Sequence, residues 1–351
     1  MQTFEMSTRL CFGEHALDGL KTLGATRVLI VTDDFFEKNG EAARIGRLFE
    51  AEAVELFTRV QPDPSLTLAM EGAEVLRRFR PDTVAALGGG SAIDCAKAML
   101  ALAGGDARLI AIPTTSGTGS EVTAFSILTH EGVKHPLIDE ALRPRAAFLD
   151  ASLLTQLPRA LIADAGMDVA AHCLEAIAAK NASPFSDAFA LYALRTVLEA
   201  LPASFGGDRT VRQAVHCAAT MAGIAFDSAG LGACHALSHA LGGRFHIAHG
   251  RLNGILLPYV LRFNAEACPT VYRRCAAYCG VSGVHGLILA VERLRRSLEL
   301  PSTLRQAGLR EAEVRDAEDA ICKAAAKDPC AETNPRPLSP DTLRGLLREA
   351  L

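Results

Sequence analysis

The stretch TVAALGGGSAIDCAKAMLALA, residues 83–103, combines a short apolar run, a glycine-rich turn and a helical segment in immediate succession. Glycines let a pyrophosphate approach the backbone, and a helix N-terminus offers free N–H groups and the positive end of the helix dipole. The pattern therefore predicts a nucleotide-binding turn at Gly88, Gly89, Gly90 and Ser91. A tight turn that binds no ligand is the alternative interpretation.

Short β-branched runs alternate with amphipathic helical segments on both sides of this turn, which favours a parallel sheet covered on both faces. From Pro158 onward, alanine-rich helical segments follow one another with few β-branched runs. We therefore predict an α/β N-terminal domain over 1–157, with Rossmann-like nucleotide binding, and an all-α C-terminal domain over 158–351. The predicted strands are 27–32, 53–58, 83–87 and 109–112, and the predicted helices between them are 36–50 and one from the QPDPS segment (61–65) through Arg80.

Ligands of such sheets bind at the carboxyl ends of the strands. Asp33 closes the first predicted strand, where a carboxylate can accept hydrogen bonds from the adenosine ribose and repel a 2′-phosphate; a simple helix cap is the alternative. The loop PTTSGTGSEVT, residues 113–123, follows the fourth predicted strand and is dense in hydroxyl groups. The G-x-G-x-x-G fingerprint is absent after the first strand, so only the physics of the turn favours a dinucleotide.

The stretch HALSHALGGRFHIAHG, residues 235–250, holds four of the ten histidines of the chain. His235 and His239 are four residues apart and share one helix face, and the Gly-Gly pair at 242–243 is predicted to end or bend that helix. His249 returns as a separate element just before Gly250.

A second pair, Asp168 and His172, has the same spacing within a helical pattern. One carboxylate and three histidines are a plausible ligand set for Zn²⁺ or Fe²⁺. The alternative is a helix cap and satisfied core histidines.

Composition excludes several other classes of protein. The 351 residues are 49% hydrophobic and 22% charged, which is typical of a globular chain, and the net charge of −4 offers no basic surface for nucleic acid. No uncharged apolar run reaches about 18 residues, and no secretory signal opens the sequence, so neither membrane insertion nor export is expected. Ten cysteines without a C-x-x-C motif are expected to be reduced thiols in the cytoplasm.

Together these stretches resemble the iron-containing (group III) alcohol dehydrogenases, over nearly the whole chain. The segments that carry the resemblance are GGGSAIDCAKA (88–98), PTTSGTGSEVT (113–123), AGMDVAAHCLEA (165–176), HALSHALGGRFHIAHG (235–250) and NPR (334–336). The resemblance implies the dehydroquinate-synthase-like architecture of that family. It also implies bound NAD(H) and one divalent metal, with Fe²⁺ expected ahead of Zn²⁺.

The resemblance also implies roles for individual residues. The metal ligands would be Asp168, His172, His235 and His249, and His239 would be the active-site histidine that is not a ligand and relays the proton. The cofactor positions would be Asp33, Gly88, Gly89, Gly90, Ser91, Asp94, Thr114, Thr115, Thr118, Thr123 and Lys134, of which Lys134 aligns least securely. Ala165, Ala240 and Ala248 depart from the family pattern, which concerns the fit of the substrate more than metal binding.

The function implied is a metal-dependent NAD(H) alcohol dehydrogenase or aldehyde reductase acting on short-chain primary alcohols or aldehydes such as propanol and propionaldehyde. Within that family the chain resembles the short propanol and ethanol dehydrogenases of bacterial microcompartments. This similarity implies a homodimer or larger homo-oligomer, in the cytoplasm or inside such a compartment, with microcompartment proteins as partners. The alternatives are a glycerol or polyol dehydrogenase, a dehydroquinate-synthase-like lyase, and a non-catalytic microcompartment partner.

Overall fold

The computed structural model describes residues 3–130 and 133–351, so the side chain of Lys134, whose backbone lies next to the omitted residues, is outside the described part. The chain divides into two compact units, Glu5–Gln156 and Leu157–Leu351. Phe4 belongs to the second unit, because its ring stacks on those of Phe185 and Phe189, with ring centroids 5.4 and 6.0 Å apart.

The first unit is built on a six-stranded parallel sheet and also contains a two-stranded antiparallel hairpin. The strands are β1 (Arg9–Phe12), β2 (Arg27–Val31), β3 (Ala53–Phe57), β4 (Thr83–Gly88), β5 (Arg108–Pro113) and β8 (Ala146–Leu149) in the sheet, and β6 (Phe125–His130) with β7 (Val133–Ile138) in the hairpin. The order in the sheet is β1-β8-β5-β4-β2-β3. The central strands are apolar along their length because helices cover both faces of a parallel sheet.

The helices of this unit are α1 (Asp34–Lys38), α2 (Glu41–Leu48), α3 (Leu66–Phe79) and α4 (Gly90–Ala103), and short 3-10 segments lie at Ala16–Leu23, Ser120–Val122, Glu140–Leu142 and Ala151–Leu154. The single helix predicted over 36–50 is in fact α1 and α2. They are separated at Gly40, whose φ of 79° lies in the left-handed region that glycine adopts without strain. Ser65 caps α3 by accepting a hydrogen bond from Leu68 N at 3.1 Å, as the QPDPS segment predicts.

The second unit is helical. Its helices are α5 (Arg159–Ala178), α6 (Pro184–Phe205), α7 (Arg212–Ala229), α8 (Ala233–Phe245), α9 (His249–Ala265), α10 (Pro269–Tyr278), α11 (Gly283–Ser297), α12 (Glu311–Ala326), α13 (Pro329–Thr333) and α14 (Pro340–Glu349). The parallel-sheet unit and the helical unit confirm the predicted fold class. By length and mean hydropathy (1.2) α6 could cross a membrane, but here it packs along α5 and α7 and carries the Arg195–Glu199 ion pair.

The Gly-Gly pair at 242–243 does not end the helix, so that part of the prediction is wrong. Helix α8 continues to Phe245 and ends at His246, which adopts a left-handed φ of 55° and donates its N–H to Gly242 O at 3.0 Å. A glycine inside a helix costs only about 1 kcal/mol relative to alanine, which packing against other helices can outweigh.

Candidate active site

Three predicted cofactor segments meet at one edge of the parallel sheet. Asp33 follows β2, Gly88 ends β4, and Thr114 follows β5, and these three strands are neighbours in the order β5-β4-β2. The chain changes direction across the sheet between β2 and β4, and such a switch point is where open α/β sheets bind ligands. Asp33 and the glycine turn therefore flank the expected crevice.

The glycine turn and the threonine loop after β5 are packed against each other. A Cβ added to Gly90 would lie 2.8 Å from the Thr118 methyl carbon, and one added to Gly89 would lie 3.1 Å from that of Thr115. Gly88 has a φ of 153°, and a Cβ there would lie 2.6 Å from the Cβ of Ala92. Only glycine fits this turn, and the absence of side chains leaves its backbone accessible to a close-approaching phosphate.

Two other predicted cofactor residues, Asp94 and Thr123, are engaged in bonds within the protein. Asp94 accepts hydrogen bonds from Ser120 Oγ at 2.5 Å and Ile127 N at 3.2 Å. The ammonium of Lys97, fully buried on α4, donates to the carbonyl oxygens of Thr123 (2.7 Å) and Phe125 (2.6 Å). These bonds fasten the loop after β5 to α4. The sequence did not single out Lys97, because the burial of a lysine is decided by the tertiary fold.

Asp33 is a helix cap in the structure: its Oδ1 accepts the N–H groups of Phe35 (3.1 Å) and Phe36 (3.2 Å) at the start of α1. Asp33 thus has the helix-capping role that was the alternative to cofactor binding. Because the same carboxylate stands at the carboxyl end of β2, its role toward a ribose stays a prediction.

The predicted metal ligands come from three helices of the second unit. Asp168 and His172 lie on α5, His235 lies on α8, and His249 is the first residue of α9. Ligand atoms of Asp168, His235 and His249 all lie within 4.8 Å of one another. Asp168 Oδ1 is 3.5 Å from Nε2 of both His235 and His249, and 3.9 Å from Nε2 of His172.

A fifth residue shows where the possible ligand atoms of this cluster point. The side-chain Nδ2 of Asn253, buried on α9, lies 2.6 Å from Asp168 Oδ1, 3.2 Å from His235 Nε2 and 3.1 Å from His249 Nε2. Its Oδ1 accepts hydrogen bonds from Ser238 Oγ and Cys234 Sγ, so the amide nitrogen is turned toward the ligands. One carboxylate oxygen and two imidazole nitrogens thus converge on one buried point, and His172 adds a third imidazole nearby. This donor set fits Fe²⁺ or Zn²⁺.

The carboxylate and the imidazoles of this cluster shift each other's pKa values. Burial raises the pKa of Asp168, but the charges of His172 and His249 and the hydrogen bond with His235 outweigh burial and hold this pKa well below its usual range. Burial lowers the pKa of His235, but its hydrogen bonds with Asp168 and Glu175 outweigh burial and raise the pKa to about 9. In the metal-free protein both ring nitrogens of His235 are therefore protonated at neutral pH, and an incoming ion must displace the proton on Nε2.

Glu175 positions His235 and was not predicted from the sequence. Its Oε2 accepts a hydrogen bond from His235 Nδ1 at 2.6 Å, which leaves Nε2 to face Asp168, and its Oε1 accepts Cys234 N at 2.6 Å. Carboxylates of this kind fix the tautomer and ring orientation of metal-binding histidines. Its position three residues after His172, on the same face of a helix that carries two predicted ligands, was the available signal.

The NPR segment supports the same helix. Asn334 is fully buried, and its Oδ1 accepts Ala233 N at 3.1 Å in the first turn of α8. A Cβ on Gly232 would lie 2.7 Å from that oxygen, so the glycine gives Asn334 access to the helix start. Asn334 and Glu175 together fix the first turn of the helix that carries His235 and His239.

His239 is oriented by a carboxylate of its own. Its Nδ1 lies 2.8 Å from Asp328 Oδ2, and its ring stacks on that of His249 with centroids 5.1 Å apart. Burial raises the pKa of Asp328, but the hydrogen bond from His239 and that from Cys330 N outweigh burial and lower the pKa to about 2. The carboxylate is therefore ionised at neutral pH and holds the proton of His239 on Nδ1. His246, by contrast, is exposed at the end of α8.

The chain thus combines an α/β unit that carries a glycine turn with a helical unit that carries a buried carboxylate–histidine cluster. Residues 7–151 match the iron-containing alcohol dehydrogenase family, and residues 162–351 match the Fe-containing alcohol dehydrogenase family, C-terminal. The chain belongs to the iron-containing alcohol dehydrogenase family, which confirms the resemblance read from its motifs.

Individual relatives span the chain to different extents. The bifunctional aldehyde-alcohol dehydrogenase AdhE of Escherichia coli K12 is 39% identical over 92% of this chain, which spans only 42% of the length of that relative. The 1-propanol dehydrogenase PduQ of Salmonella typhimurium is 35% identical, and the similarity covers 100% of both chains. Among solved structures, the iron-containing alcohol dehydrogenase of Thermococcus thioreducens has a TM-score of 0.94 and 33% identity, over 99% of both chains.

Proposed function

We propose that this protein is a metal-dependent NAD(H) alcohol dehydrogenase that interconverts short-chain primary alcohols and their aldehydes, with propanol and propionaldehyde as representative substrates. The observation that carries the proposal is the convergence of Asp168, His235 and His249 on one buried point, where Asn253 Nδ2 now donates. His172 completes the proposed ligand set. The full-length similarity to a relative named 1-propanol dehydrogenase supports the choice of substrate.

The chain's own residues have separate tasks in this proposal. When bound, the divalent cation supplies Lewis acidity to the substrate oxygen, and the nicotinamide accepts or returns the hydride. Glu175 holds His235 in the tautomer that presents Nε2, and Asp328 holds the proton of His239 on Nδ1. His239 Nε2 is then the atom that takes the hydroxyl proton of the alcohol, or returns it to the oxygen during aldehyde reduction.

The proposal is tested by NADH oxidation in the full chain, stripped of metal and reloaded separately with Fe²⁺ and Zn²⁺. We expect metal-dependent turnover of propionaldehyde, and a loss of roughly 10³-fold or more in kcat/KM in the His249→Ala variant, because an open ligand position weakens the metal site. Turnover of dihydroxyacetone without turnover of propionaldehyde would instead favour the polyol dehydrogenase. Bound NADH without turnover of either would favour a non-catalytic role.

The charge of Asp33 should decide the choice of coenzyme. We expect the unmodified protein to prefer NADH over NADPH, because the carboxylate would repel a 2′-phosphate. Asp33→Asn keeps an oxygen that can accept from Phe35 N and Phe36 N but removes the charge, so its preference should fall by about tenfold or more, which is about 1.4 kcal/mol.

The ratio of kcat/KM for NADH and NADPH is the measurement, and Asp33→Gly, which removes both the charge and the cap, is the comparison variant. A loss of preference in Asp33→Gly alone would assign the effect to the cap and the shape of the turn. Equal use of both coenzymes by the unmodified protein would contradict the role of Asp33.

The similarity to short propanol dehydrogenases extends the proposal to the setting of the enzyme. We propose a homodimer or larger homo-oligomer in the cytoplasm or inside a bacterial microcompartment, with shell or enzyme components of that compartment as partners. Neither a nucleic acid nor a membrane is a proposed partner.

A further inference from the structure

A second cluster of metal-binding groups lies where α8, which carries His239, meets the start of α13. Ligand atoms of His239, Asp328 and Cys330 all lie within 4.8 Å of one another. His239 Nδ1 is 2.8 Å from Asp328 Oδ2, which joins two of the three groups directly. The side chains of His239 and Asp328 keep 20% and 15% of their surface exposed, so an ion can reach them from solvent.

The three groups are held in place by bonds that do not involve an ion. Asp328 caps α13, and its Oδ1 accepts the backbone N–H of Cys330 at 2.8 Å, so the carboxylate and the thiol belong to one closed turn. Thr333, at the end of this short helix, donates its hydroxyl to Leu231 O at 2.7 Å, just before α8 begins. The turn is thereby tied to the helix that carries His239.

We propose that His239, Asp328 and Cys330 form a second binding site, which shares His239 with the proposed proton relay, for a thiophilic divalent cation such as Zn²⁺, Co²⁺ or Cd²⁺. A thiolate, an imidazole and a carboxylate favour such ions over Mg²⁺ or Ca²⁺, which take oxygen ligands. Ligand bonds of about 2.0–2.3 Å around a tetrahedral ion place neighbouring ligand atoms roughly 3.2–3.8 Å apart. Small side-chain rotations bring three atoms that already lie within 4.8 Å of one another to this spacing. Water would take the fourth position.

Binding of the ion displaces a proton from two of the three ligand atoms. The ion forms bonds to Nδ1, to a carboxylate oxygen and to Sγ; the Cys330 thiol releases its proton to solvent, and the proton on His239 Nδ1 moves to Nε2 of the same ring. Burial raises the pKa of the Cys330 thiol well above its usual value, so the ion must displace a firmly held proton. Affinity should therefore rise with pH. Because His239 stacks on His249, two bound cations would repel each other, and the second ion should bind more weakly than the first.

The ligand set proposed for the first metal contains no sulfur, which makes the two sites distinguishable by spectroscopy. We would titrate the metal-free full chain with Co²⁺ under anaerobic conditions and follow the near-ultraviolet charge-transfer band that only thiolate ligation produces. The unmodified protein should bind two ions per chain, and the band should grow with the second. Equilibrium dialysis with Zn²⁺ gives the stoichiometry independently.

Variants decide the assignment. Cys330→Ser should lose the band, and its affinity for the second ion should fall by at least about tenfold. It should still bind the first ion, which also demonstrates that the variant is folded. Cys217→Ser, a half-buried thiol elsewhere in the helical unit, should keep both ions and the band. His235→Ala should lose the first ion but keep the band, whatever the enzyme's substrate. One ion per chain in the unmodified protein, or a band that survives in Cys330→Ser, would overturn the proposal.

Discussion

Asp168→Asn is expected to abolish tight metal binding and, with it, turnover. Asp168 supplies the one carboxylate of the proposed ligand set, and its Oδ1 is the atom around which Nε2 of His235 and of His249 gather at 3.5 Å. Breaking a buried charge pair from one side typically costs 3–5 kcal/mol, so the affinity for Zn²⁺ should fall by about 10²–10⁴-fold. Competition with a chromophoric chelator measures this affinity directly, and kcat at saturating NADH should fall in parallel.

Asparagine suits this test because it keeps the shape of the side chain. The amide oxygen of the variant can still accept the hydrogen bond that Asn253 Nδ2 now gives to Asp168 Oδ1 at 2.6 Å, so the fold should survive. The loss of the Asp168 charge also removes one of the interactions that raise the pKa of His235. In the metal-free variant this pKa should fall from about 9 toward its ordinary value, which a pH titration of the histidine ring signals would show.

Asp164→Asn is the matched control. Asp164 is a buried carboxylate one turn earlier on α5, but it pairs with Arg251, its two oxygens lying 3.1 Å from Nε and Nη2. This variant should lose stability and keep the metal affinity within a few-fold. Equal loss of metal in both variants would mean that removing any buried negative charge from α5 weakens metal binding. It would remove Asp168 from the proposed ligand set.

The local parts of this site could be predicted from the sequence because they depend on helix geometry alone. Asp168 with His172, and His235 with His239, are four residues apart, and 3.6 residues per turn place each pair on one face. Bonds between helices could not be predicted in the same way. Glu175 reaches His235 on α8, and Asp328 reaches His239 across 89 residues of sequence, because packing of the helices brings them together.

The missed strands have a similar explanation. β8 is the four-residue run AAFL, too short and too rich in alanine to differ from a buried helix segment, and it becomes a strand by pairing with β1 and β5. β7 contains Pro136, which weakens a strand prediction, and β7 tolerates this proline because β6 is its one paired neighbour among the described strands. The strands that were predicted, β2 to β5, are each five or six residues long, against four in β8.

Gly250→Ala is expected to be the most destabilising single-methyl change near the site. Gly250 is buried immediately after His249, and a Cβ built there would lie 2.0 Å from the backbone oxygen and 2.6 Å from the carbonyl carbon of Asp164. It would also lie 3.2 Å from the Cβ of Asp168. Because the obstacle is the backbone of α5, no side-chain rotation relieves the clash, and α5 and α9 must move apart.

This movement should affect both stability and metal binding. Overpacking a well-packed core costs about 1–3 kcal/mol and occasionally more, and a clash with a backbone belongs at the upper end, so the free energy of unfolding should fall by about 3 kcal/mol. The same displacement separates His249 from Asp168, and metal sites tolerate errors of only about 0.2 Å in their ligand distances. We therefore expect at least a tenfold loss of Zn²⁺ affinity, roughly 1.4 kcal/mol, in the folded variant.

Gly254→Ala, one turn later on α9, separates the clash from a general effect of adding a methyl group. Its Cβ would lie 3.3 Å from Cβ and Cγ of Met167, a tight contact that a shift of a few tenths of an ångström relieves, while alanine gains up to about 1 kcal/mol over glycine within a helix. Urea unfolding of the two metal-free variants should place Gly254→Ala near the unmodified protein and Gly250→Ala well below it. If the two variants unfold at the same urea concentration and hold Zn²⁺ equally, the close approach of α9 to Asp164 does not set the geometry of the metal site, since only Gly250 meets the backbone of the helix that carries Asp168.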